Sequence, residues 1–240
     1  MRIIVAEDRV AASECAADIV ERFVRDQRRA SLGVATGRTT EALYDELVRR
    51  HQHEGLSFAG VDVYLLDEYV GLDPDDPCRF RSVVQRELAQ QVDLRRDAVH
   101  CPDPDAPDLP RECCRYEHLV RSAPIGLQIL GIGFNGHIAF NEPGSAFDSV
   151  TRIVALSEQT RSDNAGCFSD GRPVPERAIT QGIAAILAAT ELLLLACGER
   201  KAATVAAAVD GPLCEAVPAS ALQLHASVTV VLDPDAASLL

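Results

Sequence analysis

The chain has 240 residues, 47% of them hydrophobic and 25% charged, which is ordinary for a large α/β domain with a substantial core. Its formal net charge of −13 argues against nucleic acid and anionic membranes as partners, so an anionic ligand would need a local positive site. The chain has no apolar run of membrane-spanning length and begins with a strand-like segment in place of a secretory signal, which favours a cytoplasmic location.

Strand-like and helix-like segments alternate along the chain. Strands are predicted at Arg2–Val5, Ser31–Ala35, Val61–Leu66, Ile125–Ile132, Glu191–Cys197 and Ser227–Leu232. Helices are predicted at Ala11–Arg28, Thr39–His51, Arg79–Gln91, Pro110–Ser122, Ile179–Ala189 and Lys201–Val209. This alternation predicts an α/β fold, a three-layer α/β/α sandwich with a Rossmann-like, mostly parallel sheet. We expect a single domain over 1–240, with a lid in the irregular segment at about 145–176.

The eight cysteines have irregular spacing, so free thiols are expected in a reducing compartment. Cys113, Cys114 and His118 could supply zinc ligands, but structural zinc usually takes four and no second pair has ligand spacing. Ordinary helix residues are the preferred interpretation, and no metal site is predicted.

A turn with glycine and hydroxyl side chains follows the second predicted strand. Thr36, Gly37, Arg38 and Thr39 lead directly into a helix, whose free backbone N–H groups and dipole suit a phosphate. Arg38 would add a guanidinium to that anion site. The alternative is an ordinary helix cap in which Thr36 or Thr39 is the N-cap residue.

Two adjacent carboxylates, Asp67 and Glu68, follow the apolar strand that ends at Leu66. Carboxylates next to a buried strand are costly unless they are solvated or used, and one beside a pocket could act as a general base. The alternative is a polar strand end that reaches solvent.

A glycine-rich segment follows the strand that ends at Ile132. Gly131 and Gly133 allow a ligand to approach the backbone, while His137 and Glu142 could form an imidazole–carboxylate pair that passes a proton at neutral pH. The spacing matches a dinucleotide-binding motif in form only, because no ribose-binding acid follows the next strand.

Lys201 stands at a predicted helix start, where the helix dipole disfavours a cation unless an anion is bound nearby. A surface lysine is the alternative interpretation. Lys201 is therefore the last of four candidate positions at the carboxyl ends of predicted strands, where ligands bind in open α/β sheets.

The segments 67–72 (DEYVGL) and 136–143 (GHIAFNEP) resemble the two signature segments of the glucosamine-6-phosphate deaminases, in the glucosamine/galactosamine-6-phosphate isomerase family. The resemblance covers the chain from Arg2 to about Asp233. It implies an isomerising deamination of glucosamine 6-phosphate to fructose 6-phosphate and ammonia, without metal or organic cofactor. The implied catalytic residues are Asp67, Asn135, His137 and Glu142. The expected substrate-binding residues are Thr36, Gly37, Arg38, Thr39, Glu68, Gly131, Gly133 and Lys201.

The sequence departs from the family pattern around the expected phosphate. Gly166 stands where the family usually has a lid arginine, and Arg38 stands where it usually has a glycine. We expect Arg38 to compensate, with Arg161 and Arg172 as rival donors. Many members have aspartate at Asn135, but an amide can still orient His137.

The resemblance also bears on regulation. Longer relatives have an allosteric site for N-acetylglucosamine 6-phosphate. Arg152 and Ser145 match part of that site, but Val154 replaces a lysine and the tail is short. We therefore expect no such activation.

Other functions on the same fold stay open at this stage. They are a deaminase for another amino-sugar phosphate such as galactosamine 6-phosphate, a 6-phosphogluconolactonase, and a non-catalytic sugar-phosphate sensor. The expected partner is a small phosphorylated amino sugar, and a homo-oligomer is possible.

Overall fold

A seven-stranded parallel sheet organises the computed structural model, which describes residues 1–168 and 171–240. The predicted lid at about 145–176 includes positions 169 and 170, which lie outside the described residues. The strands are β1 (Arg2–Val5), β2 (Ala30–Val34), β3 (Val61–Leu65), β4 (Asp67–Val70), β5 (Val99–His100), β6 (Leu127–Leu130), β7 (Arg152–Ala155), β8 (Arg177–Thr180), β9 (Glu191–Ala196) and β10 (Val228–Leu232).

Helices cover the main sheet and fill its connections. The α-helices are α1 (Arg9–Asp26), α2 (Arg38–Glu54), α3 (Phe80–Val84), α4 (Leu109–Ser122), α5 (Glu158–Asp163), α6 (Ile183–Ile186) and α7 (Ala202–Val209). A π-helical turn at Gln85–Ala89 extends α3, and short 3-10 helices lie at Ala165–Phe168, Glu199–Lys201 and Pro218–Leu224.

The strand order in the main sheet is β1-β10-β9-β6-β2-β3-β5, and every neighbouring pair is parallel. The predicted parallel sheet is confirmed. All carboxyl ends of parallel strands lie at one edge of a sheet, and the topology makes β9, β6, β2 and β3 consecutive neighbours there. The segments that follow these four strands are therefore brought to one place.

Alternating side chains of the central strands form two cores, one on each face. In β9, Leu193 and Leu195 belong to the core that also contains side chains of α1 and α2. Leu192 and Leu194 belong to the core with side chains of α4, α6 and α7. Because both faces are covered, these strands are apolar throughout, which confirms the three-layer sandwich.

A second, antiparallel sheet departs from the sequence prediction. It has the order β4-β8-β7, with Asp67 opposite Thr180 and Arg152 also opposite Thr180. The prediction of a helix from Ile179 was wrong, because these residues pair with β4 and β7 and the helix begins only at Ile183. The backbone N–H of Gln181 donates to the carbonyl of Leu66, which joins β8 to the end of the main sheet.

A disulfide joins the lid to the loop before α3, so the prediction that all cysteines are free thiols was wrong. Cys78 and Cys167, 89 residues apart in sequence, have their Cα atoms 5.7 Å apart and are bonded. Both lie beside a third apolar cluster that includes Tyr69, Phe140 and Phe168. Packing of the lid on this cluster brings the two thiols together, which no local spacing could reveal. Cys15, Cys101, Cys113, Cys114, Cys197 and Cys214 are free.

We expect Cys78→Ser to lower the melting temperature of the oxidised protein by roughly 5–15 °C, since a disulfide that closes a long loop stabilises by about 2–4 kcal/mol. Hydrogen exchange should quicken first in the lid segment around Cys167. Cys214→Ser, at an exposed free thiol, is the matched control. Equal melting temperatures for the two variants in the absence of reductant would contradict the disulfide.

Within the described parts of the chain, no helix has both the length and the apolar character needed to cross a membrane. Over the same residues, no group of three or more His, Cys, Asp or Glu side chains is arranged to hold a metal ion.

Candidate active site

Four segments predicted from the sequence come together at the carboxyl edge of the main sheet. Thr36–Thr39 follows β2, and Asp67 is separated from β3 by Leu66 alone. Gly131–Glu142 follows β6, and Lys201 lies beyond β9. Contacts join neighbouring segments directly. The Lys201 ammonium donates to the carbonyl of Ile132 at 2.5 Å, and the charge of Arg38 acts on Lys201. The strand order thus brings distant stretches of sequence to one edge of the sheet.

His137 and Glu142 are linked through the side chain of Asn135. The Asn135 amide N–H donates to Glu142 Oε2 at 2.7 Å, which turns the amide oxygen toward His137. That oxygen lies 2.7 Å from His137 Nδ1 and accepts its proton. A direct His137–Glu142 pair was predicted; instead the amide stands between them. This arrangement fixes the Nδ1–H tautomer and leaves Nε2 with a lone pair for a ligand.

Glycines make room for the imidazole. A Cβ atom on Gly133 would overlap the His137 ring, so only glycine permits this packing. The backbone N–H of Gly133 donates to the carbonyl of His137 at 2.9 Å, and Gly136 turns with φ +87° between them. Gly131 is half-buried and leaves open space where a side chain would stand. The predicted glycine-rich segment is therefore a support for His137.

The protonation of the linked groups follows from burial and charge. Burial lowers the pKa of His137 and the nearby Lys201 charge adds to this, while Glu142 and Asp163 oppose it. Burial alone would raise the pKa of Glu142, but hydrogen bonds from Thr160 and Asn135 and the charge of His137 hold it below its usual value. At neutral pH the pair is thus a neutral imidazole and a carboxylate anion.

Asp67 is buried, with 8% of its surface exposed. Burial, with a smaller contribution from the Glu68 charge, raises the pKa of Asp67 well above its usual value. In the strand register Asp67 faces Thr180, whose hydroxyl accepts the backbone N–H of Phe140 at 3.1 Å. Asp67 and the segment that contains His137 and Glu142 are therefore held against the same strand. A poorly solvated carboxylate there has the proton affinity that a general base needs.

The Glu68 carboxylate is held by backbone hydrogen bonds. Its carboxylate accepts backbone N–H bonds from Tyr69, Phe80 and Arg81 at 2.9, 3.0 and 2.9 Å. Both oxygens are thereby engaged at the N-terminus of α3, and the side chain is 1% exposed. This geometry supports a role in anchoring the loop after Asp67 more than the predicted contact with substrate.

The turn at the N-terminus of α2 has no side-chain cap. Gly37, with φ +140°, is the N-cap residue, so neither Thr36 nor Thr39 caps the helix. The Thr40 hydroxyl donates to the carbonyl of Gly37 at 2.9 Å, and Arg38 is exposed. An uncapped N-terminus of a 17-residue helix, flanked by a guanidinium, fits the predicted anion site.

Lys201 lies in the 3-10 turn that precedes α7. Its ammonium is 3.7 Å from the ring centroid of Phe134, and Arg200 stacks on the same ring at 4.0 Å. Burial, together with the charges of Arg200 and Arg38 and against that of Asp163, lowers the pKa of Lys201 to about 8. Lys201 is therefore largely charged at neutral pH, and a bound phosphate would favour that charge further.

Lid residues that the sequence analysis did not single out complete the site. The hydroxyls of Ser157 and Thr160 donate to Glu142 Oε1 at 3.1 and 2.5 Å. The Asn164 side chain hydrogen-bonds Tyr69, and the charge of Asp163 acts on both His137 and Lys201. These residues lie in a segment with little regular pattern, so no periodicity identified them.

The rival lid arginines have other partners. Arg172 pairs with Asp76 and lies 5.8 Å from the ring centroid of Phe168. Arg161 faces Glu176 at 3.9 Å. Arg38 is exposed near the N-terminus of α2, and its charge acts on Lys201.

A cavity of about 370 Å³ lies behind Glu142 and is lined by Ser145, Arg152 and Val154. Arg152 donates to Asn141 at 2.8 Å and to Ser145 at 3.1 Å. This is the region that resembles part of an effector site. The guanidinium is already bound to neighbouring side chains there, and Val154 adds no charge.

Comparison with known proteins places these features in a family. Residues 7–231 match the family model described as glucosamine-6-phosphate isomerases/6-phosphogluconolactonase. The chain belongs to this family. A glucosamine-6-phosphate deaminase of Arthrobacter sp. (strain FB24) is 46% identical over 93% of this chain and 86% of that relative. A second, from Bacillus velezensis (strain DSM 23117 / BGSC 10A6 / LMG 26770 / FZB42), is 44% identical over 99% of both chains.

Solved structures agree with this membership of the isomerase/lactonase family. A monomeric glucosamine-6-phosphate deaminase superposes with a TM-score of 0.96 at 43% identity, over 100% of both chains. The 6-phosphogluconolactonase of Trypanosoma brucei superposes with a TM-score of 0.78 at 20% identity, over 100% of this chain and 98% of the other. The second likeness shows the shared fold alone.

Proposed function

We propose that this chain is an enzyme that converts glucosamine 6-phosphate and water into fructose 6-phosphate and ammonia. The single observation that supports this best is the His137–Asn135–Glu142 relay, which follows β6 at the edge of the sheet where Asp67 and the α2 turn also lie. The deaminase relatives, more than 40% identical over nearly the whole chain, support the same reaction.

Ring opening is assigned to His137. Its free Nε2 accepts the proton of the anomeric hydroxyl and returns a proton to the ring oxygen as the C1–O5 bond breaks. Asn135 holds Nδ1–H, and the Glu142 anion beyond it stabilises the imidazolium that forms in between. A neutral imidazole at neutral pH, as the lowered pKa of His137 gives, is the form this step requires.

Isomerisation is assigned to Asp67. Its carboxylate removes the proton from C2 of the open chain, and the electron pair forms a C1–C2 double bond while the aldehyde oxygen takes a proton, which gives an enol-type intermediate. The C2 proton is then delivered to C1, and the nitrogen loses the proton that balances the one taken by the oxygen, which leaves an imine at C2. Water adds to that imine and ammonia departs, so the product is the 2-ketose. The high proton affinity of the buried carboxylate suits both the removal and the return.

Phosphate binding is assigned to the α2 turn and to Lys201. Thr36, Gly37 and Thr39 offer backbone and hydroxyl donors at the helix N-terminus, and Lys201 and Arg38 supply positive charge. Glycines 131 and 133 line the approach to His137. These roles are proposals for the individual residues.

Arg38→Ala is expected to raise KM for glucosamine 6-phosphate roughly tenfold to hundredfold with little change in kcat, because a charge-assisted bond to phosphate acts in substrate and transition state alike. Steady-state kinetics measure this. Arg49→Ala, at the far end of the same helix and paired with Glu46, is the control for the change in net charge. An unchanged KM in the Arg38 variant would refute the compensation for Gly166.

The reaction itself is tested by incubating the purified protein separately with glucosamine 6-phosphate, galactosamine 6-phosphate and 6-phosphogluconolactone. We expect ammonia and fructose 6-phosphate in equal amounts from the first substrate. Faster release of ammonia from the second substrate would change the epimer assignment. Hydrolysis of the lactone alone would favour the lactonase, and no turnover of any substrate would favour a sensor.

We place residues 1–240 in a single domain with a lid at about 145–176, in the cytoplasm. The structural relative is described as monomeric, which supports a monomer here over a homo-oligomer.

A further inference from the structure

The Glu142 carboxylate is held from two sides. Asn135, from the segment after β6, donates to Oε2, whereas the lid helix α5 and its N-cap residue supply the donors to Oε1. The Thr160 hydroxyl is the nearer of the lid donors, at 2.5 Å, and Thr160 is 1% exposed. Glu142 thus joins the rigid sheet edge to the lid.

Thr160 is fixed by the helix that carries it. Ser157 is the N-cap residue of α5, and its hydroxyl accepts the backbone N–H of Thr160 at 3.1 Å. The same Ser157 hydroxyl also lies 3.1 Å from Thr160 Oγ1. The cap therefore sets the direction of the Thr160 hydroxyl toward Glu142, and a shift of the lid helix would withdraw it.

We propose that Thr160 is a positioning residue, whose hydroxyl holds Glu142 in the orientation that supports Asn135 and His137 during ring opening. This inference rests on the proposed deaminase function. The hydrogen bonds to Glu142 are complete only while α5 is packed in place. The position of the lid is thereby coupled to proton transfer by His137.

The charges that face this relay are on four elements. His137 faces Glu142 from the segment after β6. The charges of Asp163, at the far end of α5, and of Lys201, in the turn before α7, act on His137. Arg152 of β7 lines the cavity beside Glu142. The hydrogen bond from Thr160 is the foremost of the contacts that lower the pKa of Glu142 against burial. Without it, the carboxylate should protonate at higher pH, and the anion that supports His137 should be lost earlier on acidification.

Thr160→Val and Thr160→Ser separate the hydroxyl from the shape of the side chain. We expect Thr160→Val to lower kcat by about tenfold to hundredfold at similar KM, the usual loss for a hydrogen bond to a charged group. The acid limb of its kcat profile should move to higher pH. Thr160→Ser, which keeps the hydroxyl, should recover most of kcat and the original profile.

Thr151→Val is the matched control. Thr151 is 4% exposed, and its hydroxyl donates to Glu117 Oε2 at 2.6 Å. The Thr151→Val variant therefore loses a similarly short Thr–Glu hydrogen bond away from the relay. This variant should lose similar thermal stability while keeping kcat and the pH profile. Carboxyl-carbon NMR titration of Glu142 in each protein gives a readout that needs no turnover.

The outcomes are distinct. A wild-type kcat and pH profile in Thr160→Val would overturn the inference. So would a Thr160→Ser variant as impaired as Thr160→Val, because that result would indicate packing alone. If the wild-type protein does not deaminate glucosamine 6-phosphate, the proposed function fails. The NMR titration then still tests the hydrogen bond between Thr160 and Glu142, and an unchanged pKa of Glu142 in Thr160→Val would overturn the inference.

Discussion

Asp67→Asn should reduce kcat for glucosamine 6-phosphate by about a thousandfold, within the range that general-base catalysis contributes. The substitution keeps the shape of the side chain but removes the group that takes the C2 proton. KM should change little, since the phosphate is held elsewhere. Deuterium transfer from C2 of labelled substrate into product should fall with kcat.

The same variant should be at least as stable as the wild type. Burial raises the pKa of Asp67, so the folded state retains a proton at pH values where the unfolded chain has lost it. The contribution of protonated Asp67 to the stability of the wild type is therefore lost as pH rises above about 3.9, the usual pKa of aspartate, toward the pKa of Asp67 in the folded state. An amide avoids that cost, so at neutral pH the melting temperature should not fall.

Asp62→Asn serves as the control for this experiment. Asp62 lies in the adjoining strand β3 and pairs with Arg95 at 2.7 Å, outside the cleft. It should leave kcat unchanged. If Asp67→Asn kept wild-type kcat, or if both variants lost activity equally, Asp67 would not be the base.

His137→Gln should lower kcat by about a hundredfold or more, because the ring-opening step loses its proton carrier. The wild-type acid limb should lie below about pH 6.5, the usual value for histidine, since burial and Lys201 lower the pKa of His137. In the variant this inflection should disappear. The pH dependence of kcat/KM, measured on both proteins, gives the answer.

His118→Gln, at an exposed position on α4, controls for loss of a histidine as such. It should match the wild type in rate and profile. An acid inflection that stays in His137→Gln at the pH found for the wild type would assign that titration to another group, with Asp67 as the candidate because burial raises its pKa.

The main sheet and its site were predictable because the sequence patterns that indicate them are local. After Glu191, β9 is a continuous apolar run, and glycines follow β6 where the backbone must accommodate His137. The order of strands then places the predicted residues together. Asn135 could be named from the sequence, but its position between His137 and Glu142 depends on the fold of a turn.

The lid could not be predicted in the same way. β7 and β8 are each four residues long, and β8 pairs with both β7 and β4. β4 follows β3 after a single residue, so no turn signal separates those two strands. The Cys78–Cys167 bond and the contact of Thr160 with Glu142 join residues far apart in sequence. Such contacts arise from packing of the third apolar cluster, and they produce no periodic pattern in the sequence.

The most direct test of the shared cleft is a crystal structure of the Asp67→Asn variant with glucosamine 6-phosphate bound. We predict C2 of the sugar beside the side chain at position 67, its ring oxygen at His137 Nε2, and its phosphate between the α2 turn and Lys201. A phosphate bound away from that turn, or a sugar that contacts only one of positions 67 and 137, would contradict the account.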